Sequence, residues 1–206
     1  MRRPVIYFIR HGETEWNAAR RLQGRQDSAL SVLGCEQVNR CGQLLRDLFA
    51  RDGRAPADLD YVSSPLIRAR SSMERVRTVL GLDPHGYRTD ERLAEIAFGE
   101  WEGLSFADLK SNAADLLALR EQDPWNFVPP GGESYVQLLA RVRHWHGSLT
   151  GDTVVASHLN TGRALMAHLG IAPQAGAPRS RIDHAVVYIF DESGLTRHGG
   201  VSHLTP

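Results

Sequence analysis

Chemistry first announces itself at Arg10-His11-Gly12-Glu13-Thr14-Glu15-Trp16-Asn17. An arginine offers a fixed fork of donors for phosphate oxygens, and a histidine is a nucleophile near neutral pH. Gly12 lets the backbone approach a bound anion closely. The five apolar or aromatic residues Val5 to Ile9 run into this stretch without a break and read as a short buried strand. That strand would deliver Arg10 and His11 at its C-terminal end, the edge where open parallel sheets bind ligands. On Arg10, His11 and Gly12 alone, a strand ending in a solvated arginine and a hydrogen-bonded histidine remains the simpler reading.

The same arrangement recurs twice. Leu59 to Val62 form a second strand stopped by Ser63-Ser64-Pro65, and a helix follows with Leu66, Ala69, Met73, Val76 and Leu80 as its apolar stripe. Arg68 stands in the first turn of that helix, in the same relation to the sheet as Arg10. Thr153 to Ser157 is a third β-rich run, ended by His158 and followed by a helix striped with Leu165, Met166 and Leu169, whose free N-terminal amides favour an anion. Three strand ends therefore aim Arg10-His11, Arg68 and His158 at one sheet edge. A carboxyl group acting as an acid must be kept protonated, by burial or by an adjacent anion. Of Glu91, Glu95, Glu100 and Glu102, Glu95 has apolar neighbours in Leu93, Ala94, Ile96 and Phe98.

The stretch from Arg10 to Asn17 resembles the opening motif of the histidine phosphatase superfamily, the phosphoglycerate mutase-like enzymes. Ser63-Ser64-Pro65-Leu66-Ile67-Arg68-Ala69, Leu93-x-Glu95 with Gly99-x-Trp101-Glu102-Gly103, and Gly132-Glu133-Ser134 are similar to further motifs of that family, in the same order. The resemblance implies that His11 is transiently phosphorylated, that Glu95 is the general acid, and that Arg10, Arg68 and His158 hold the phosphoryl oxygens. It also implies phosphate contacts from Asn17, Gln23 and Gly24. The motif after Glu95 is closer to the phosphatase branch than to the mutases, so hydrolysis of a small phosphomonoester is expected, with mutase-type transfer or mere binding of a phosphorylated ligand as rivals. No metal and no organic cofactor is implied. In one place the chain departs from the family, which commonly has small residues directly after the histidine where Leu159-Asn160-Thr161 stand here. A bulkier pocket wall is expected, and the backbone amides there are not relied on for phosphate.

The elements that must position these residues alternate strand and helix, which predicts an α/β domain with a mainly parallel central sheet flanked by helices. Ser31 offers an N-cap for a helix to about Ala50, and Gly86 to Glu91 a third strand. Ser105 to Arg120 reads as one helix or two, with Phe106, Leu109, Leu116, Leu117 and Leu119 inward. Ala185 to Asp191 and Leu195 to Ser202 read as a C-terminal hairpin at the sheet's edge. The loop from Asp123 to Gly132 carries Trp125 and Phe127, which either line a substrate entrance or plug the core beneath. Arg70, Arg75 and Arg77 read as solvated or salt-bridged, Glu102 as structural, and His184, His198 and His203 as surface or turn residues without chemistry. His144 and His146, two apart on a helix, face different ways and share no metal.

At 206 residues and 42% hydrophobic composition the chain suits a single domain, 1–206, with a substantial core. Its 24 basic and 24 acidic residues cancel, so no electrostatic footprint for nucleic acid or an anionic membrane exists, and any anion must be held by a local cluster. Cys35 and Cys41 are too few for a disulfide framework and read as reduced packing residues. No stretch is apolar enough to span a membrane, and Val5 to Ile9 is too short for a signal peptide, so a soluble, cytoplasmic protein is expected. Oligomeric state is not legible.

Overall fold

A computed structural model describes residues 3–199. Its centre is a six-stranded sheet built from β1 (Ile6–Arg10), β2 (Asp60–Ser63), β3 (Arg88–Thr89), β4 (Thr153–Ser157), β5 (Val186–Asp191) and β6 (Gly194–Gly199), in the order β3-β2-β4-β1-β5-β6. β3, β2, β4 and β1 run parallel, whereas β5 is antiparallel to β1 and β6 to β5. The expected α/β class and the edge hairpin are both present. Residues 200–202 of the expected second hairpin strand, and His203, lie outside the described residues.

Side chains on a strand alternate between faces, and β1 shows what that does here. Ile6 and Phe8 join one core together with Leu138, Val142, Trp145 and Leu165; Tyr7 and Ile9 join the opposite core with Val38, Leu45, Met73 and Val76. The helices α2 (Val32–Arg51) and α3 (Ile67–Val79) cover the second face, and α6 (Tyr135–His146) and α7 (Leu159–His168) the first. A sheet buried on both sides needs continuous apolar strands, which is why β1 and β4 read so clearly in the sequence. Ser31 caps α2 as expected, its hydroxyl accepting from Gly34 N at 3.0 Å.

Three further helices complete the fold: α1 (Glu15–Ala18), α4 (Phe106–Asn112) and α5 (Ala114–Gln122). The stretch from Ser105 to Arg120 is thus two helices, joined at Ala113. Leu109 and Leu117 face inward as expected, but Phe106 and Leu119 are exposed, because the non-helical backbone at Ala113 breaks the stripe between the two helices. The third strand shrinks to two residues. Arg77 is not solvated: it is buried, lays its guanidinium over the Tyr61 ring at 4.5 Å and donates from Nε to Asp83 O at 2.7 Å. Trp125 and Phe127 plug the core, Trp125 stacking on Tyr135 and Phe127 on Trp101, each pair 5.4 Å between ring centres. Among the described residues no helix is long and apolar enough to cross a membrane.

Candidate active site

The C-terminal ends of β1, β2 and β4 open into a cavity of about 310 Å³. Arg10, His11, Asn17, Gln23, Gly24, Arg68 and Glu95 all line it, and His158 stands against His11 with ring centres 5.2 Å apart. Every residue expected at the site is therefore gathered there.

His11 leaves β1 with its amide donating to Ser157 O at 2.9 Å, so the pairing of β1 with β4 sets its position. Its Nδ1 lies 2.7 Å from Gly12 O. A carbonyl only accepts, so Nδ1 carries the proton and Nε2 keeps its lone pair. Burial, and then the positive charges of Arg68 and Arg10, hold the imidazole well below the usual histidine range. Glycine at position 12 also meets a packing demand. A Cβ there would come within 2.2 Å of Gly34 O, and the missing side chain lets the start of α2 pack against the loop.

Arg68 is 1% exposed and held from three sides, with Nη1 donating to Gln26 O and to Asp27 Oδ1, and Nη2 to Gly24 O, all at 2.7 Å. Burial lowers its pKa, and the charge of Asp27 opposes the shift. Asp27 also accepts from Ile67 N at 2.7 Å, which caps α3, whose own N-cap residue Leu66 has no capping side chain. The loop that clasps Arg68 is itself fastened by Glu102, which accepts from Arg25 N at 2.9 Å, Gln26 N at 3.1 Å and Phe98 N at 3.0 Å. Glu102 is structural, as expected, through backbone amides. Gly24 sits at φ +55°, and a Cβ there would meet Glu102 Oε1 at 2.1 Å, so the loop requires glycine.

Arg10 donates from Nη1 to Ile182 O at 3.0 Å, and burial pulls its pKa down to about 10. Asn17 is the third residue of α1 and closes a capping box with Thr14, accepting from Thr14 N at 3.2 Å through Oδ1. The same side chain lines the cavity. Buried Gln23 donates to Thr14 Oγ1. Glu95, 6% exposed, accepts from Ile96 N at 2.9 Å and from Asn160 N at 3.2 Å. The amide of Asn160 is thus directed at Glu95, and Leu159 adds the expected bulk to the cavity wall.

His158 Nε2 lies 2.6 Å from Ser64 Oγ, and that oxygen also receives Leu66 N at 3.3 Å. Ser64 Oγ thus occupies Nε2, and Nδ1 is left as the ring nitrogen without a protein partner. Burial first, then the charge of Arg68, keeps this ring neutral too.

Among the described residues five buried side-chain polar atoms have no partner: Arg10 Nε, Gln23 Oε1, Arg68 Nε, His158 Nδ1 and Trp145 Nε1. Buried polar atoms are otherwise nearly always satisfied. Four of these five surround His11, and of those Arg10 Nε and Arg68 Nε are donors. Larger clefts of about 470 and 590 Å³ near Arg54 and Asp52 carry no such set, and there Arg54 pairs with Asp152 and Arg51 with Asp52.

Sequence reasoning missed several contributors. His184 is no plain turn residue: its ring lies 5.7 Å from that of His11, its Nδ1 donates to His11 O at 2.7 Å, and burial beside Arg10 pushes its pKa down to about 3. Arg120 and Arg163 line the cavity. Arg141 holds the Glu95 segment, donating to Arg92 O at 2.8 Å, Ala94 O at 2.6 Å and Glu95 O at 3.1 Å while paired with Glu133 at 2.7 Å. None carries a local signal; each reaches the site from an element remote in sequence.

Residues 6–199 match the family model of the histidine phosphatase superfamily, branch 1. The chain belongs to that superfamily. It is 34% identical over 192 residues to glucosyl-3-phosphoglycerate phosphatase of Mycobacterium tuberculosis, covering 86% of this chain and 80% of that protein. A solved structure of the mycobacterial glucosyl-3-phosphoglycerate phosphatase superposes with a TM-score of 0.75 at 29% identity, over 97% of each chain. A 2,3-bisphosphoglycerate-dependent phosphoglycerate mutase of Afipia carboxidovorans is 28% identical over 83% of this chain and 84% of the mutase. The match to a bifunctional protein of Mycobacterium tuberculosis, 36% identical over 78% of this chain, spans 43% of that longer relative. The superfamily's named relatives are thus both phosphatases and mutases.

Proposed function

We propose that this protein hydrolyses small phosphomonoesters through a phosphohistidine on His11. The observation that carries the reading is the ring of unpartnered polar atoms on Arg10, Arg68, His158 and Gln23 around an imidazole whose Nε2 lone pair is free. Donors aimed where phosphoryl charge develops are the main catalytic resource in phosphoryl transfer.

In the first step His11 Nε2 attacks phosphorus, the P–N bond forms as the ester P–O bond breaks, and Glu95 gives its proton to the departing alkoxide oxygen. In the second, Glu95 takes a proton from water, the hydroxide attacks phosphorus, and the P–N bond pair returns to Nε2. Arg10 and Arg68 hold the equatorial oxygens, and His158 donates to them from Nδ1–H. Asn17 adds an amide donor. The Nδ1–H contact with Gly12 O keeps His11 in the attacking tautomer throughout.

The acceptor separates this reading from mutase-type transfer, which the mutase relative favours. Water makes a phosphatase, and a second hydroxyl of a retained intermediate makes a mutase. The reading includes turnover without added metal and, from the two free thiols Cys35 and Cys41, a cytoplasmic location. The test is steady-state hydrolysis of p-nitrophenyl phosphate in a chelator, by wild type and His11→Ala. We expect turnover in the wild type and a loss of at least about a thousandfold in the variant. Undiminished turnover in His11→Ala overturns the mechanism; a silent wild type that exchanges phosphate between isomeric esters makes the protein a mutase.

A further inference from the structure

One titratable side chain beside the nucleophile has no step in the proposed reaction. His184 is half-buried and stands just before β5, which runs antiparallel to β1 with Val187 opposite Ile9. The approach to β5 therefore meets β1 at the residues that do the chemistry. Ile182 O accepts from Arg10 Nη1 at 3.0 Å, and His184 Nδ1 lies 2.7 Å from His11 O. A carbonyl only accepts, so His184 Nδ1 is the donor.

That bond acts on a peptide plane. The His11 carbonyl and the Gly12 amide form one rigid unit, because the C–N bond between them does not rotate freely. His184 holds its oxygen, and Ser72 Oγ receives its N–H at 3.2 Å; Ser72 in turn donates to Arg68 O at 2.7 Å. Gly12 O, the next carbonyl along, accepts from His11 Nδ1 at 2.7 Å and so leaves Nε2 as the attacking nitrogen. Glycine resists backbone rotation least of all residues, so at Gly12 the plane must be held from outside.

Two further features hold His184 itself in place. Ala185, directly after it, sits at φ +57°, a left-handed conformation that a β-carbon opposes and that persists only where the surroundings enforce it. Gly199 of β6 packs on the Ala185 carbonyl, so closely that a Cβ there would come within 2.7 Å of the oxygen. The His184 ring also meets His11 edge-on, with centres 5.7 Å apart, while His158 lies against the same imidazole at 5.2 Å.

We propose that His184 is a positioning residue for the nucleophile: by holding the His11 carbonyl it fixes the His11–Gly12 peptide plane and, through Gly12 O, the tautomer and direction of the attacking imidazole. Burial beside Arg10 keeps the His184 ring neutral, so it sets no second positive charge against that guanidinium. The proposal rests on the reading of His11 as the nucleophile.

Three variants test it. His184→Leu removes the donor, His184→Asn places an amide NH2 where Nδ1 stood, and His184→Gln places one at the Nε2 position and serves where the leucine variant does not fold. Heteronuclear NMR of the histidine rings, with the His11 signal assigned by its loss in His11→Ala, is expected to show a single Nδ1–H tautomer in the wild type. His184→Leu and His184→Gln should show both tautomers of His11, and His184→Asn should restore the single one. On p-nitrophenyl phosphate, His184→Leu and His184→Gln should lose about thirtyfold in kcat with KM within about threefold, because a misdirected nucleophile slows the chemical step and not ester binding. His184→Asn should recover most of that loss. A residue needed only for folding would lower the urea midpoint and leave the tautomer and kcat of the folded enzyme alone; that result in His184→Leu or His184→Gln overturns the proposal. Equal losses in His184→Asn and His184→Gln overturn it too. A silent His11→Ala beside an unaltered His184→Gln keeps the phosphohistidine reading and removes only the role of His184, whereas undiminished turnover in His11→Ala removes both.

Discussion

The His11 imidazole is buried against two guanidinium groups, and its neutrality has a thermodynamic consequence. His11, His158 and His184 are all held below the ordinary histidine pKa, His184 at about 3. Below about pH 6.5 the unfolded chain binds protons that the folded protein refuses, so stability falls as pH falls and is unaffected by these groups above that value. His146 and His168, hydrogen-bonded at 3.1 Å and likewise depressed, add to the same slope. The expected outcome is a urea midpoint that drops steadily from pH 7 to pH 5. His184→Asn should make the drop shallower by about 1 kcal/mol per pH unit, because one refused proton is gone. A parallel slope in the variant would mean that His184 titrates normally. At this scale the sequence displayed the residues that end strands, Arg10-His11, Arg68 and His158, because a strand end has a local signature. It hid His184, Asp27 and Asn160, which act through contacts made only when distant loops close. Gly12 was legible as a residue but its packing against Gly34 was not, since nothing local says that Gly34 will press against it.

At the level of elements the least regular piece carries the acid. Residues 94–97 belong to no helix or strand, yet Glu95 must be held to the geometry of proton transfer. Three neighbours supply what a ladder of backbone bonds would: Ser157 Oγ donates to Leu93 O at 2.7 Å, Thr161 Oγ1 to Ala94 O at 3.0 Å, and Arg141 to the carbonyls of Arg92, Ala94 and Glu95. Glu133 neutralises Arg141 and accepts from Ala97 N at 3.3 Å, fixing the far end of the segment. Arg141→Gln takes this donor from the carbonyls of Arg92 and Glu95, leaves Ala94 O to Thr161 and Glu133 to Ala97 N and the more distant Arg25, and should cost about 2–4 kcal/mol in urea unfolding. If the clamp positions Glu95, the variant should also lose more activity on alkyl phosphates, whose leaving groups need a proton, than on p-nitrophenyl phosphate. Glu95→Gln sets the upper limit of that difference. Equal losses on both esters would reduce Arg141 to a stability residue. The helices α3 and α7 could be read from their apolar stripes and α2 from its Ser31 cap. This segment could not, because its regularity lies in its partners, and the two-residue β3 was overextended for want of a partner longer than the end of β2.

For the molecule as a whole, what matters is where its cancelled charge is placed. Basic and acidic residues number 24 each, and the exposed pairs such as Arg51–Asp52 and Arg88–Asp60 neutralise one another locally. The sheet topology then brings Arg10, Arg68 and Arg163, and the packing of α5 brings Arg120, to one mouth where Glu95 is the lone carboxylate. Composition showed that an anion would need a local cluster, but not that the cluster extends beyond the strand ends. Arg120 and Arg163 meet only through the fold. A neutral surface with one positive cleft focuses potential at the cleft, so anionic substrates are drawn in by a field that salt screens. Raising sodium chloride from 0.1 M to 1 M shortens the screening length from about 10 Å to about 3 Å. The expected result is a several-fold fall in kcat/KM for a phosphomonoester dianion, carried mainly by KM, with the unfolding midpoint nearly constant because exposed ion pairs contribute little to stability. A substrate with a second acidic group should show the steeper fall, since it engages the field twice. If kcat/KM for both kinds of ester is flat across that range, the guanidinium groups act only at contact distance and the cleft exerts no long-range pull.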